Sequence, residues 1–259
     1  MPANHPPTAQ FRLHQALVDH LALERRDVLV DLGCGHGITL AVAAERATGA
    51  TLVGLDVDAP SLRTAASWST SLGAHPRLAV TDLSTPLPLA GGSVTKTVCH
   101  DLLECLSDPV ALMVEAGRIL RPGGISVWSH VDYDSAVIAG GDRDLTRRIV
   151  HAYADYVQPW MTSNDGQMGR KLAGLVGRSP LRQAAIDAQV MASSQLIGPA
   201  RMRIDDIVST LRRGAGEGMV DLTPEELDIW TASLTAADAA GAFFYAQTAY
   251  VVVAECSGR

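Results

Sequence analysis

Aromatic residues make up only 5% of the 259 positions, there are four cysteines, and basic residues are outnumbered by acidic ones. Each shortage removes a class of function. The cysteines, at 34, 99, 105 and 256, fit neither the paired spacing of a structural zinc site nor a CxxC redox motif, so they read as buried thiols in a reducing compartment. With Lys and Arg together at 21 against 28 Asp and Glu, the formal charge is -7, and no basic run provides a face for phosphate backbones. Nucleic acid is therefore a poor partner. No stretch of about eighteen uncharged apolar residues occurs, as a membrane-inserted helix requires. The opening MPANHPPTAQ also lacks the charged-then-apolar order of a secretory leader, and a cytoplasmic location is the resulting expectation.

A hydrophobic fraction of 47% with 19% charged residues is that of a soluble globular chain. Leu13, Leu17 and Leu21 recur at helical spacing and predict a covering helix within 1–26. Strand and helix patterns then alternate. DVLVDLGCGHG (27–37) is an apolar run closing on three alternating glycines and is followed by the helix formers TLAVAAERA. TLVGLDVD (51–58), RLAVTDLS (77–84), VTKTVCHD (94–101) and ISVWSHV (125–131) repeat the strand, the last after the turn Arg121-Pro-Gly-Gly124. Five strands alternating with helices predict an α/β, doubly wound, Rossmann-like core over 27–131. From 132 to 183 the pattern turns helical, with DRDLTRRIVHAYADYVQPW (142–160) read as one long helix inserted on the substrate side. The remainder, 184–259, reads as two more strands (184–194 and 242–256) enclosing two helices, all within one structural domain. The second of those helices opens on the capping box Thr223-Pro-Glu-Glu226, and GAGEG (214–218) between them is expected to be a mobile loop.

The turn at 31–37 is GxGxG with Asp31 two residues before the first glycine, whereas a dinucleotide fingerprint is GxGxxG; Ile38 stands where its third glycine would be. Glycines allow positive φ and let the backbone approach a ligand, and the helix end behind them favours an anionic group. Asp56 closes the next strand nineteen residues after Gly37, where a carboxylate can accept hydrogen bonds from both hydroxyls of a ribose. Asp82 closes the third strand, where an adenine amino group could be met. A nicotinamide-dependent oxidoreductase would use the same acidic strand end, but the turn spacing and the lack of a tyrosine-lysine pair count against it.

On VLVDLGCGHG, LVGLDVD, VTDLS and LRPGG, the chain resembles the class I S-adenosylmethionine-dependent methyltransferases, and among them the small-molecule enzymes of the quinone-biosynthesis group. The resemblance implies a seven-stranded sheet of order 3-2-1-4-5-7-6 with the last strand antiparallel. It implies S-adenosylmethionine as cofactor, with Asp31, Gly33 and Gly35 bordering its methionine part, Asp56 its ribose, and Val57, Asp82 and Leu83 its adenine. His100 would lie near the methionine amino group through its backbone carbonyl. The activity implied is methyl transfer to a small organic acceptor, through oxygen or nitrogen with carbon also open; the alternative in another class is a methyltransferase-like protein that binds without catalysing.

In-line displacement at a sulfonium mainly needs alignment and exclusion of water, and a neutral acceptor also needs a base. His100 and His130, at the ends of adjacent strands, are the candidate bases. The clusters His100-Asp101-Glu104 and His130-Asp132-Asp134 are read as fixing loops or contacting substrate, and no metal is expected. Tyr133, Tyr153, Tyr156, Trp160 and Tyr245, with Trp128, Met161 and Gln167, are the candidate lining of an acceptor pocket, divided between pocket and core. Arg12, on the covering helix, is expected to be exposed, and the helical insertions offer surfaces for a homodimer.

Overall fold

A computed structural model describes residues 8–71, 73–162 and 166–257. Helix α1 (Thr8–Leu21) precedes the alternating series β1 (Val28–Leu32), α2 (Ile38–Arg46), β2 (Thr51–Asp56), α3 (Ala59–Ser71), β3 (Arg77–Val80), β4 (Val94–His100), α4 (Pro109–Ile119) and β5 (Leu120–Val131). After it come β6 (Val137–Ala139), α5 (Arg143–Asp155), α6 (Met168–Val176), β7 (Leu181–Ser193), α7 (Gly198–Gly216), α8 (Pro224–Ala239) and β8 (Phe244–Cys256). The eight strands form one sheet in the order β3-β2-β1-β4-β5-β8, with both β7 and β6 paired to β8. Neighbours from β3 to β5 are parallel, and β8 runs antiparallel to β5, β6 and β7. The expected order is thus present, with the three-residue β6 as an addition too short to show in the hydrophobic pattern.

Side-chain alternation along the central strands builds two cores. Leu29, Val98, Val127 and Val251 point to the face covered by α1, α2 and α3, while their successors Val30, Cys99, Trp128 and Val252 point to the face covered by α4 and α6. A third cluster lies outside the sheet: Ile149, Tyr153 and Tyr156 pack with Ile204, Ile207 and Leu211 of α7, Leu227, Trp230 and Leu234 of α8, and Tyr245. This gives the inserted helices their own apolar centre. Thr223 caps α8 in the expected reciprocal way, its hydroxyl accepting from Glu226 N–H at 3.2 Å while the Glu226 carboxylate accepts from Thr223 N–H at 2.9 Å.

The parallel registers Leu32↔Leu55, Leu32↔Cys99, Asp56↔Val80 and His100↔Ser129 bring the carboxyl ends of β1 to β5 to one edge. The RPGG turn is part of β5: Leu120 already pairs with Val94, and the register shifts before Ile125 pairs with Lys96. The four residues therefore form a bulge.

Two helical expectations are corrected. Residues 142–160 are not one helix, because α5 stops at Asp155; Pro159 has no amide to donate and disfavours the helical conformation at Gln158. The stretch 214–218 is not a free loop either, since α7 continues to Gly216. Gly214 is buried and a Cβ there would lie 2.7 Å from the Tyr156 ring, whereas a Cβ at Gly216 would meet nothing within 4 Å. Alanine gains about 0.5–1 kcal/mol over glycine in a helix, but overlap in a packed core costs about 1–3 kcal/mol. Gly214→Ala should therefore lower stability and Gly216→Ala raise it slightly, two opposite signs two residues apart, as read by urea unfolding.

Candidate functional site

The glycine turn is held against β2 by its own backbone, Gly33 and Cys34 N–H both donating to the Leu55 carbonyl at 2.8 and 3.1 Å. Gly33, Gly35 and Gly37 all have positive φ (78°, 48° and 80°). Their surroundings differ. A Cβ on Gly33 would press on Leu102 at 3.0 Å and one on Gly37 on Ala65 at 2.9 Å, while Gly35 opens onto free space. Asp56 fixes the turn from the neighbouring strand, accepting from Gly35 N–H at 2.8 Å and, through its other oxygen, from Asp58 N–H at 2.9 Å.

Asp31 lies buried beneath this turn, and its Oδ2 has no hydrogen-bond partner among the described residues. Burial, and then the nearby Asp56 charge, push its carboxyl up to about 8. A carboxyl left in this state is an acceptor waiting for a donor, and a cation would suit it best.

Gly33, Asp56, Val57, Asp82 and Leu83 line one cavity of about 270 Å³ together with Leu102 and Cys105. Asp82 accepts from the amide and hydroxyl of Ser84 (2.9 and 2.6 Å), which fixes the loop after β3. A second cavity of about 260 Å³ lies on the other side of the segment that ends β4, and His100, Asp101, Arg203, Tyr245 and Gln247 give it a polar floor below the apolar Leu13, Val131, Met191 and Met202. Leu102 thus faces one cavity while His100 and Asp101 face the other.

Asp101 ties this divider to the next strand. It adopts φ 48°, unusual for a residue with a Cβ, donates its amide to Ser129 O at 3.1 Å, and accepts the Val131 amide on Oδ1 at 2.7 Å. His100 lies half-buried with Nε2 at 3.3 Å from Asp101 Oδ2 and Nδ1 at 3.2 Å from the Ser129 hydroxyl. On its other side the ring of His14, from α1, meets it edge-on at 5.3 Å. His14 is buried and hydrogen-bonded to the Thr39 hydroxyl at 2.9 Å; burial, then the charge of His100, hold its pKa down to about 3.

His130 is a different kind of histidine. It is fully buried, with Nε2 on the Glu104 carboxylate and Nδ1 donating to the Val131 carbonyl at 2.8 Å. Both partners are acceptors, which fixes the ring as an imidazolium. Burial alone would lower its pKa, but the Asp101 charge and the hydrogen bond to Glu104 outweigh it and push the value up to about 9.

Arg203, from α7, carries the cavity's positive charge and was not visible as a site residue in the sequence. Its guanidinium donates to Tyr153 Oη at 2.8 Å and Asp206 at 3.2 Å, and lies 5.0 Å above the Tyr133 ring centre. Of the tyrosines expected at an acceptor pocket, Tyr245 lines the cavity that holds His100, while Tyr153 accepts from Arg203 and the Tyr133 ring lies against its guanidinium. Tyr156 is turned away under Gly214 and donates to Glu217 at 3.2 Å. Trp160 falls beyond the end of α5 and is 53% exposed, and Trp128 belongs to the core on the far face of the sheet. Gln167 donates to Asp134 at 3.2 Å. A flanking signal for Arg203 did exist: it lies three residues after Ala200 and four before Ile207, on the border of the buried face of α7.

Among the described residues no group of three or more His, Cys, Asp or Glu is placed to hold a metal ion. The acids of the two clusters are engaged otherwise, Glu104 by His130 and Asp132 by both Nε and an Nη of Arg170, each at 2.7 Å. No helix among them is long and apolar enough to cross a membrane.

Comparison with known proteins agrees with this arrangement. A family profile described as a methyltransferase domain matches residues 30–128. An uncharacterized 37.1 kDa protein in a transposon of Streptomyces fradiae is 30% identical over 250 residues, covering 93% of this chain and 66% of that one. A ubiquinone biosynthesis O-methyltransferase of Chromobacterium violaceum is 31% identical over 165 residues, 60% of this chain and 67% of the relative. Thus the chain spans about two thirds of the length of each. The fold is shared with the geranyl diphosphate C-methyltransferase of Streptomyces coelicolor, solved with Mg2+, geranyl diphosphate and S-adenosyl-L-homocysteine (TM-score 0.53, 18% identity, 95% of this chain and 80% of that one).

The His130–Glu104 pair sets a pH dependence of stability. Because the folded pKa of about 9 exceeds the ordinary value of ~6.5, its contribution is fully present below pH ~6.5 and is lost as pH rises through 9. The urea midpoint should fall across that window. Glu104→Gln should make the fall shallower and, by breaking a buried pair, cost about 3–5 kcal/mol at pH 6.

Proposed function

Because this chain belongs to the class I S-adenosylmethionine-dependent methyltransferases, we propose that it methylates a hydroxyl oxygen of a small organic acceptor held above Arg203, with His100 as the base. The observation that carries this reading is the position of His100: half-buried, paired with Asp101, and facing a chamber divided from the Gly33–Asp56 cavity only by the end of β4.

The residues present fit the cofactor. Asp31 offers a buried, unpartnered oxygen suited to an ammonium, Gly35 leaves the space in front of the turn open, and Asp56 stands at the wall of the 270 Å³ cavity. Asp31, Gly33 and Gly35 would hold the methionine part, Asp56 the ribose, and Val57, Asp82 and Leu83 the adenine. When bound, S-adenosylmethionine supplies an electrophilic methyl group on a sulfonium.

The chain's own contribution is placement, exclusion of water and removal of one proton. Arg203, Tyr245 and Gln247 give the acceptor polar contacts on the chamber floor, and α1 roofs it with Leu13. His100 takes the hydroxyl proton on Nδ1, giving up its contact with the Ser129 hydroxyl, while the Asp101 carboxylate beside Nε2 stabilises the imidazolium that forms. His130 is left out of proton transfer: it already holds both ring protons and is sealed from the chamber. Its charge helps keep Asp101 ionised, and its hydrogen bond holds Glu104 in place. The inserted helices α5, α7 and α8 supply the acceptor side, consistent with the ubiquinone-pathway relative acting on oxygen.

Two measurements test the reading. His100→Ala should lower kcat by about 10²–10⁴ at saturating cofactor while leaving the affinity for S-adenosylhomocysteine unchanged; an unchanged rate would remove His100 from the mechanism. Asp31 is protonated at pH 7 in the free protein, so capture of an ammonium should ionise it and release close to one proton. Calorimetric titration with S-adenosylhomocysteine in buffers of different ionisation enthalpy should show that release at pH 7, and neither at pH 9 nor in Asp31→Asn.

A further inference from the structure

The acceptor chamber has an annex. A neighbouring cavity of about 370 Å³ lies between α1, the end of β7 and the start of α7, and it shares Met191, Pro199 and Tyr245 with the chamber that holds His100. Successive residues of α1 line the two spaces, Leu13 the inner and Arg12 the outer. Of the three residues that border both spaces, Met191 and Pro199 are apolar, and Ile197 lines the outer one. A small phenol would leave the annex empty.

The two spaces also differ in charge. In the inner one, Arg203 is matched by Asp206 and His100 by Asp101. The outer one contains no acid: its polar side chains are Arg12, Ser193, Gln195 and the shared Tyr245. Among the described residues no ion pair engages Arg12, which is exposed and lines that cavity. None of Asp31, Gly33, Asp56 or Asp82 lines it, so it is separate from the cofactor cavity.

Resting on the function proposed above, we propose that the acceptor is an elongated molecule with two ends. Its reacting hydroxyl lies at His100, an apolar body passes Met191 and Pro199, and a carboxylate at the far end is held by Arg12 in the outer cavity. Among the described residues Arg12 is the one cation lining this space, and a single guanidinium matches a singly charged carboxylate, which it can grip with two parallel hydrogen bonds, better than a phosphate dianion.

The experiment uses the full chain loaded with S-adenosylhomocysteine and, as probes, ω-(4-hydroxyphenyl)alkanoates of increasing chain length with their uncharged amides. Equilibrium binding is followed by calorimetry. Affinity should pass through a maximum with chain length, and at that length the carboxylate should bind about tenfold or more tighter than its amide, the usual size of a charge-assisted contact. Arg12→Gln should abolish that difference without changing the affinity for S-adenosylhomocysteine, and Arg12→Lys should restore part of it. Ala192→Trp, at an exposed position lining the outer cavity, should weaken the long probes and spare the shortest. Equal binding of acid and amide, a preference that survives Arg12→Gln, no binding of any probe, or loss of S-adenosylhomocysteine affinity in Arg12→Gln would each overturn the proposal. Methyl transfer to the same probes, measured with S-adenosylmethionine, reads the activity separately: bound but unmethylated probes would count against the hydroxyl-directed reaction and not against the carboxylate subsite.

Discussion

The carboxylate of Asp101 is the constraint on which the site depends. It occupies the first position past β4, in a left-handed conformation that a residue with a Cβ adopts only when its surroundings impose it. Two hydrogen bonds to the β5 backbone, one from its amide and one to its carboxylate, impose it here, and the result is a negative charge between two histidines of opposite character. On one side that charge helps keep a buried imidazolium ionised; on the other it adjoins the His100 ring, which lines the 260 Å³ cavity. Moving this one carboxylate would alter both histidines and the wall between the two cavities.

Burial separates the roles of the histidines more sharply than sequence position does. His14, His100 and His130 are all close to Asp101, yet one is neutral through burial against Thr39, one keeps a small exposed edge, and one is held charged by Glu104. Proton-transfer chemistry needs a ring that can change state near neutrality and reach the acceptor. Of the three, only His100 lines the 260 Å³ cavity.

Much of this was legible in the chain because strand ends leave marks. Asp31, Asp56, Asp82 and His100 each close an apolar run, and a parallel sheet must bring such ends together, so their gathering at one edge could be read residue by residue. The inserted helices were harder. Tyr153, Tyr156 and Trp160 look alike in a helical pattern, and only the early stop of α5 ahead of Pro159 and the close approach of Gly214 decide which is buried, which supports Arg203 and which faces solvent. Arg203 itself resembles any charged residue at the border of an amphipathic helix; its meaning comes from Tyr133, Tyr153 and Asp206, whose proximity is tertiary. Glu104 was noticed only as one acid in a cluster, and what makes it important is a partner twenty-six residues away on the next strand.

Helix α1 supplies Arg12, Leu13 and His14 in succession, and near its end His20 is hydrogen-bonded to Asp187 of β7 at 2.9 Å. During synthesis on a ribosome these early residues emerge long before the strand that anchors them. The glycine turn and its flanking strands can assemble first, but the roof of the acceptor chamber has no complete seat until β7 and β8 are threaded beside β5. A growing chain can thus form the edge that carries the glycine turn while the cavity beside His100 is still open, and that cavity closes only with β7 and β8.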